Sequence, residues 1–284
     1  MSPTPIILDC DPGHDDMVAI LLAAASPAID LRAITTVAGN GTLDCVTRNA
    51  RRVCTMAGIR DVPIAAGADR PLRRPLEVAT DVHGRSALDG PALPEPDVPL
   101  DPRPAHDLIA DVLRGADTPV ALVAVGPLTN VATVLERHPE LTGRIAEIVL
   151  MGGSTGRGNR TPSAEFNVWA DPEAAAAVFT SGLAVTMVGL DVTHQALATA
   201  AVVERLTAPG TCAVALLVDR SLVRCADGFV AVETRGEWTR GATVVDLDHR
   251  LGRPANARVA LDLDVERFWD LVVDAVAAHG ARAP

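Results

Sequence analysis

Aromatic residues are scarce in this sequence of 284 residues: they make up 2% of the chain, and tyrosine is absent. The core must therefore rest on aliphatic side chains, and the stacking platforms that bind single-stranded nucleic acid are largely missing. An excess of positive charge is missing too, because the formal net charge is −11. Negative charge repels polyanions, so we expect neither nucleic acid nor an anionic membrane as partner. A small polar or cationic ligand, or a metal ion, fits this charge better.

Cysteine pairs and long apolar runs are also missing. The five cysteines are Cys10, Cys45, Cys54, Cys212 and Cys225. Their odd number and wide spacing, without a CxxC pair, indicate neither a disulfide framework nor a zinc site. No apolar run approaches the roughly 20 residues that span a bilayer, and no charged segment followed by an apolar one opens the chain. We therefore expect reduced thiols, no membrane partner and a cytoplasmic location.

The sequence does contain a repeating alternation of short apolar runs and helical segments. With 48% hydrophobic and 21% charged residues, it is typical of a globular protein, and we expect one domain over residues 1–284. Strands are predicted at 5–9, 31–37, 62–66, 120–125, 145–151 and 184–188, with helices after the first two at 15–25 and 43–57. This alternation predicts an α/β fold with a Rossmann-like, doubly wound, mainly parallel sheet and helices on both faces.

The rest of the chain is less regular. Residues 93–104 are rich in proline and predict a loop. Residues 229–235, 243–247 and 257–261 are typical of short strands, for which a meander is one arrangement. An amphipathic helix is predicted at 265–278.

Four carboxylates crowd into eight residues directly after the first strand: Asp9, Asp11, Asp15 and Asp16. Anions this close repel one another unless a cation lies among them. A hard cation with oxygen ligands, Ca²⁺ or Mg²⁺, suits them, and ligands of open α/β sheets bind beyond the carboxyl ends of strands. The alternative is that Asp15 or Asp16 caps the following helix, which accounts for only one or two of the four acids. The cluster therefore predicts a metal site.

The arrangement Asp-x-Asp-Pro-Gly-x-Asp-Asp, complete from Asp9 to Asp16, resembles the N-terminal signature of the inosine-uridine type nucleoside hydrolases. The resemblance implies hydrolysis of the N-glycosidic bond of ribonucleosides to ribose and free base. It also implies that Asp11 and Asp16 bind Ca²⁺, that Asp11 takes the proton of the attacking water, and that Asp15 contacts the ribose. Members of this family commonly form homodimers or homotetramers, which we expect here.

Further segments resemble the same family in the same order. Residues 36–40 are similar to a strand end whose asparagine, Asn40, lines the ribose site. His83, which precedes Gly84, resembles a substrate-binding position in the mobile active-site loop. Val125, before Gly-Pro, matches a residue whose backbone carbonyl binds Ca²⁺.

Residues 151–167 resemble the ribose-binding strip of the family. A neutral polyol needs several placed amide and carboxylate partners, which this strip contains. Alone, the segment is equally typical of a solvated glycine-rich loop. The resemblance implies that the substrate is bound by Met151, Asn159, Glu165, Phe166 and Asn167.

One part of the family pattern is missing after Leu206. A His-Asp pair is expected there, the Asp as a Ca²⁺ ligand and the His in the base pocket, but Pro209 and Gly210 fall at these positions. The resemblance resumes at Val232, so we interpret the break as an internal deletion. Asp219 is a weak candidate for the missing ligand, and water is the other, since Ca²⁺ tolerates variable coordination.

Two other functions are compatible with parts of the sequence. A catalytically weak or inactive ribose- or nucleoside-binding protein would keep the fold and the acidic cluster but not the missing pair. A Mg²⁺-dependent phosphatase of the haloacid dehalogenase type also has Asp-x-Asp after its first strand, but it does not explain the ribose strip. In every case the partner is a small molecule.

Overall fold

The computed structural model describes residues 2–79, 82, 84–90, 92–196 and 212–280. Within them, strands from both ends of the chain join in one nine-stranded sheet. In chain order the strands are β1 Thr4–Cys10, β2 Ile29–Thr36, β3 Ile64–Ala66, β4 Val120–Ala124, β5 Ile145–Met151, β6 Val185–Val188, β7 Val223–Val232, β8 Thr243–Asp246 and β9 Ala257–Leu263.

The strands are arranged in the order β3-β2-β1-β4-β5-β6-β9-β7-β8. All neighbours from β3 to β9 are parallel, and β7 and β8 complete one edge in antiparallel pairing. From β1 the chain adds β2 and β3 on one side and then β4, β5 and β6 on the other. The topological switch point therefore lies between β1 and β4, where an open α/β sheet leaves a crevice beyond its carboxyl ends.

Helices cover both faces of this sheet, which confirms the predicted fold class. Side chains of a strand alternate between faces. Accordingly, Ile6 and Leu8 of β1 pack in one core cluster and Ile7 packs in another. The α-helices of the described residues are α1 His14–Ala25, α2 Leu43–Ala57, α3 Ala105–Gly115, α4 Thr129–Arg137, α5 Phe166–Ala170, α6 Pro172–Phe179, α7 Leu190–Thr193, α8 Cys212–Val218 and α9 Val265–Gly280.

The first core cluster includes residues of α1, α2, α8 and α9, and the second includes residues of α3, α4 and α6. The predicted positions of α1, α2 and α9 are confirmed to within two residues at each end. Among the described residues, none of the helices is long and apolar enough to cross a membrane.

The antiparallel edge differs from the prediction. Strand β7 begins at Val223, six residues before the predicted start. Its first half, including Asp227 and Gly228, lacks an apolar alternation and is extended because it pairs with β9. The three last strands do not form a meander, since β7 lies between β9 and β8. The predicted loop at 93–104 is confirmed for its described residues, apart from an isolated bridge at Asp101.

Candidate active site

The acidic cluster lies at the switch point, directly beyond the carboxyl end of β1. Asp11 is fully buried and Asp16 is nearly so. One carboxylate oxygen of Asp11, Oδ2, accepts a hydrogen bond of 2.7 Å from the backbone N–H of Asn40. The Asn40 side-chain amide donates to the backbone carbonyl of Asp11 at 3.0 Å and to Asp16 Oδ2 at 3.4 Å. Asn40, which follows β2, therefore holds the two acids in one arrangement.

Two glycines give the Asp11 carboxylate its space. A Cβ atom on Gly39 would lie 2.2 Å from Asp11 Oδ2, and one on Gly126 would lie 2.6 Å from Asp11 Oδ1. Real Cβ atoms do not approach other atoms so closely. The glycines in Ala38-Gly39-Asn40 and Val125-Gly126 are thus required for the position of Asp11.

Asp16 has two functions in this region. It lies in the first turn of α1, where its Oδ2 accepts from the backbone N–H of Gly13 at 3.2 Å. Its Oδ1 accepts from the backbone N–H of Asp11, also at 3.2 Å. The helix-capping alternative is therefore correct for Asp16, but this cap lies against Asp11 and is part of the cluster.

The donor set fits a hard cation. Within the described residues, three buried carboxylate oxygens have no hydrogen-bond partner: Asp9 Oδ2, Asp11 Oδ1 and Asp15 Oδ1. Burial, followed by repulsion from neighbouring carboxylates, raises the pKa of Asp11 and of Asp16 well above the ordinary range. Buried anions are stable when they are paired or bind metal. A cation would supply the missing partner.

The side chains alone do not enclose a metal. Among the described residues no three His, Cys, Asp or Glu side chains converge as a complete site. The sequence also predicts the backbone carbonyl of Val125, directly after β4, as a metal ligand. In the structure this carbonyl accepts a hydrogen bond of 2.9 Å from the Asn167 amide. Two carboxylates and a carbonyl are hard oxygen donors, which suits Ca²⁺ with further ligands from water or substrate.

Asp9 belongs to the scaffold. Its Oδ1 accepts from the Thr35 hydroxyl at 2.6 Å and from the Asn130 amide at 2.7 Å. Burial raises its pKa to about 7, against the opposing effect of these hydrogen bonds. Asp9 thus connects β1 with β2 and with α4 behind the site.

A cavity of about 290 Å³ opens beside the cluster, slightly below the roughly 300–1,000 Å³ of typical small-molecule sites. Eight of the predicted site residues line it: Asp15, Asn40, Val125, Met151, Asn159, Glu165, Phe166 and Asn167. Asp11 and Asp16 are buried and hydrogen-bonded to Asn40 of this lining. The structure therefore brings together segments that are more than 150 residues apart in the sequence.

Glu165 has a structural function that the sequence did not indicate. It is the N-cap of α5, and its carboxylate accepts from the backbone N–H groups of Gly153, Asn167 and Val168 at 2.9–3.1 Å. Burial raises its pKa, and these three hydrogen bonds oppose that shift. Glu165 therefore fixes the turn after β5 while it lines the cavity.

Other members of the predicted ribose strip also have partners within the protein. The Asn167 amide donates to the carbonyl of Met151 at 3.1 Å as well as to that of Val125. Asn159 Oδ1 accepts from the backbone N–H of Phe166 at 2.9 Å. These contacts orient the amides at the cavity wall.

Three residues that line the cavity were not predicted: Ala79, Val82 and Arg160. Single alanine, valine and arginine residues outside a motif carry no sequence signal, so only proximity identifies them. His83, Pro209 and Gly210 lie outside the described residues. Asp219 is not at the cavity, because its carboxylate pairs with Arg267 at 2.5 Å and caps the short helix Arg220–Leu222.

The site and the fold define a class of protein. Residues 6–270 match the inosine-uridine preferring nucleoside hydrolase family, and the chain belongs to this family. It is thus a nucleoside hydrolase, an enzyme that hydrolyses the N-glycosidic bond of ribonucleosides. The family is generally metal-dependent. Nothing supports the phosphatase alternative.

Among its relatives are pyrimidine-specific ribonucleoside hydrolases named RihA. That of Salmonella arizonae is 46% identical over 308 residues, covering 97% of this chain and 99% of the relative. That of Enterobacter sp. is 45% identical over 310 residues, covering 98% and 99%. Because 308 aligned positions exceed the 284 residues of this chain, at least 24 positions (308 minus 284) have no counterpart here. This agrees with an internal deletion.

Solved structures agree with the fold. A purine-preferring ribonucleoside hydrolase from Gardnerella vaginalis superimposes with a TM-score of 0.91 at 29% identity, covering 99% of this chain and all of that one. An inosine-guanosine nucleoside hydrolase superimposes with a TM-score of 0.89 at 28% identity, covering 96% and 98%. The architecture is therefore shared among relatives named for different bases.

Proposed function

We propose that this chain hydrolyses pyrimidine ribonucleosides to ribose and free base with the assistance of Ca²⁺. One observation carries the proposal. Buried carboxylate oxygens without hydrogen-bond partners, on Asp11 and Asp15, lie beside a cavity lined by amides. The preference for pyrimidines rests on the names of the relatives at 45–46% identity.

Asp11, Asp16 and the Val125 carbonyl would hold the ion. When bound, Ca²⁺ lowers the pKa of a coordinated water and polarises substrate oxygens. We prefer calcium over magnesium because the carboxylates of Asp11 and Asp16 also accept hydrogen bonds from backbone N–H groups. Such ligands suit the variable coordination of Ca²⁺, whereas Mg²⁺ demands near-ideal octahedral geometry. Any ligand that the deletion removed leaves a place for water.

Asp11 is proposed as the general base. Its Oδ2 is fixed by the N–H of Asn40, so the orientation of the carboxylate is defined. Its Oδ1 has no hydrogen-bond partner in the part of the chain that the structure describes, and it can accept the proton of the attacking water.

The polar wall of the cavity is proposed as the ribose site. Amides of Asn40, Asn159 and Asn167, with the Glu165 carboxylate, surround a space in which sugar hydroxyls find donors and acceptors. As the glycosidic bond breaks, the sugar gains oxocarbenium character, and the Asp15 carboxylate stabilises that positive charge. Met151 supplies an apolar surface on the same wall.

The second candidate function is a nucleoside- or ribose-binding protein with weak hydrolysis. The unmatched positions favour it, because the resemblance to the family places a Ca²⁺ ligand and a base-pocket histidine in the missing segment. Water would occupy the open side of the ion, and metal affinity and turnover would both be lower than in a complete site.

A panel assay separates these functions. The protein is incubated with Ca²⁺ and uridine, cytidine, inosine or guanosine, and free ribose is measured, with EDTA as the control. We expect ribose from uridine and cytidine at the highest rates and none in EDTA. Binding of ribose without its release from any nucleoside, including p-nitrophenyl riboside, would support the binding protein instead.

We also propose that the chain assembles as a homodimer or homotetramer in the cytoplasm. The resemblance to the family supports the assembly, and the five free cysteines support a reducing compartment. Light scattering after size-exclusion chromatography tests the assembly, and a mass of 29.6 kDa would show a monomer.

A further inference from the structure

The cavity has two differently composed parts. One part is polar and contains Asp15, Asn40 and Asn167, whose neighbours are the acidic cluster and the Val125 carbonyl. The other contains Ala79 and Phe166, which pack in one apolar cluster with Ala164, Trp169 and Ala170. A ribonucleoside has the same division, since its sugar carries hydroxyls and its base presents flat faces that pack on apolar side chains. The apolar part therefore fits the base.

Arg160 lines this cavity, and among the described lining residues it is the one with a positive charge. Its guanidinium carbon lies 4.9 Å from the ring centroid of Trp169, within cation–π distance. Its Nη2 lies 3.6 Å from Glu77 Oε2, and its side chain is 28% exposed. The guanidinium thus packs on Trp169, a member of the same apolar cluster as Ala79 and Phe166, and the side chain still reaches solvent.

The backbone of the loop places Arg160 there. The N–H of Arg160 donates to the carbonyl of Ala164 at 3.1 Å, as do those of Asn159 and Thr161 at 3.2 and 3.3 Å. A Cβ atom on Gly158 would lie 2.2 Å from that carbonyl oxygen, so the turn requires glycine at this point. Arg160 is therefore presented by a tight turn rather than by a loose loop.

We propose that Arg160 contacts the nucleobase and stabilises the negative charge that the base gains when it leaves. This assignment rests on the proposed hydrolysis. In that reaction the C1′–N bond breaks and its electron pair goes to the base nitrogen. The water oxygen bonds to C1′, its proton goes to Asp11, and the base anion takes a proton from solvent.

Arginine suits stabilisation of an anion but not proton donation. Its guanidinium stays protonated at all ordinary pH values, so it acts as a fixed hydrogen-bond donor and charge. Charge delocalised onto a pyrimidine carbonyl oxygen would meet its planar array of N–H groups. Such preorganised donors are effective because the developing charge finds them already in place.

The test compares two leaving groups in the full-length protein with Ca²⁺. The variant Arg160→Ala should lower kcat for uridine by roughly 10²-fold, the usual effect of removing one anion-stabilising donor. Hydrolysis of p-nitrophenyl riboside should change far less, because p-nitrophenolate is a stable anion without assistance. Arg160→Lys should restore part of the uridine activity, since it keeps the charge but loses the planar array.

Arg157→Ala is the matched control, because Arg157 is exposed in the same loop and does not line the cavity. It should leave both activities unchanged. Thermal unfolding and ribose affinity establish that Arg160→Ala keeps its fold and its sugar site. An equal loss on both substrates, or no loss on uridine, overturns the assignment while hydrolysis by the wild type stands. A wild type that cleaves neither substrate overturns the proposed function and this assignment together.

Discussion

The surroundings of Asp11 come from several separate segments of the chain. Its carboxylate is buried, one oxygen is fixed by Asn40, the other is free, and Gly39 and Gly126 leave the space it occupies. The free oxygen is what makes it suitable both as a ligand and as a base.

The variant Asp11→Asn tests these functions at the level of the residue. It keeps the shape of the side chain but removes its charge and its basicity, so Ca²⁺ affinity should fall and hydrolysis should drop about 10²–10⁴-fold, the usual contribution of a general base. Calcium titration calorimetry and ribose release measure the two effects. Asp117→Asn is the control, because Asp117 is exposed three residues before β4, near the amino end of that strand and therefore away from the cluster. Unchanged calcium binding in Asp11→Asn would remove Asp11 from the metal site.

At the scale of elements, α2 connects two loops of the site. Asn49, which is nearly fully buried on α2, donates from its amide to the carbonyl of Pro12 at 3.1 Å and to that of Ser86 at 2.7 Å. Pro12 belongs to the turn between β1 and α1, and Ser86 belongs to the segment 84–90. The helix thus holds this segment against the turn that carries the acidic cluster.

Asn49→Ala should release the segment 84–90. The buried carbonyl of Pro12 loses the Asn49 donor, which costs about 1–3 kcal/mol for an unsatisfied group, and the part-buried carbonyl of Ser86 keeps only the Cys45 thiol as donor. We expect faster trypsin cleavage after the exposed Arg85 and a raised KM for nucleosides. Arg48→Gln on the same helix is the control, since Arg48 pairs with the exposed Glu95 instead. Cleavage at Arg85 no faster than in the wild type would show that Asn49 does not hold the segment.

At the scale of the whole molecule, the buried acids link stability to pH and to calcium. Burial raises the pKa of Asp9 to about 7, and it also raises the pKa of Asp11 and of Asp16 well above the ordinary range. In the unfolded chain these groups titrate at about 4. The folded, metal-free protein therefore binds more protons above that pH. Protonation of these acids therefore contributes to the free energy of unfolding. That contribution is fully present below about pH 4 and is lost as pH rises through the folded-state pKa, which is about 7 for Asp9.

In EDTA, the melting temperature should therefore fall between pH 5 and pH 8. Calcium requires ionised ligands, so protons compete with it, and its stabilising effect should be larger at pH 8 than at pH 5. At a free concentration 100 times Kd the effect is about 2.7 kcal/mol. Scanning fluorimetry at both pH values measures it. Equal shifts with Ca²⁺ at pH 5 and pH 8 would contradict the link between the ion and these acids.

We also propose that the chain is a single domain. One core cluster contains residues from Ile6 to Ala275, so both ends of the described chain share a core. Unfolding should be a single calorimetric transition whose calorimetric and van't Hoff enthalpies agree. Two separated transitions would show independent units.

The sequence by itself determined the features that depend on local patterns. The alternation of apolar runs and helical segments predicted the doubly wound sheet, because side chains repeat every two residues in strands and every 3.6 in helices. Asp11 and Asp16 could be chosen as ligands because their charges are crowded within one short segment. The ribose strip is predicted because its residues keep the order and spacing that the resemblance to the family implies.

Only the tertiary structure decided which distant groups meet. Arg160, Val82 and Ala79 line the cavity because separate segments of the chain converge on it, and no local sequence pattern predicts such proximity. The early start of β7 depends on its pairing with β9, and the capping by Glu165 depends on the turn that ends β5. These features share one physical reason: each needs a partner from another part of the chain, which folding alone brings near.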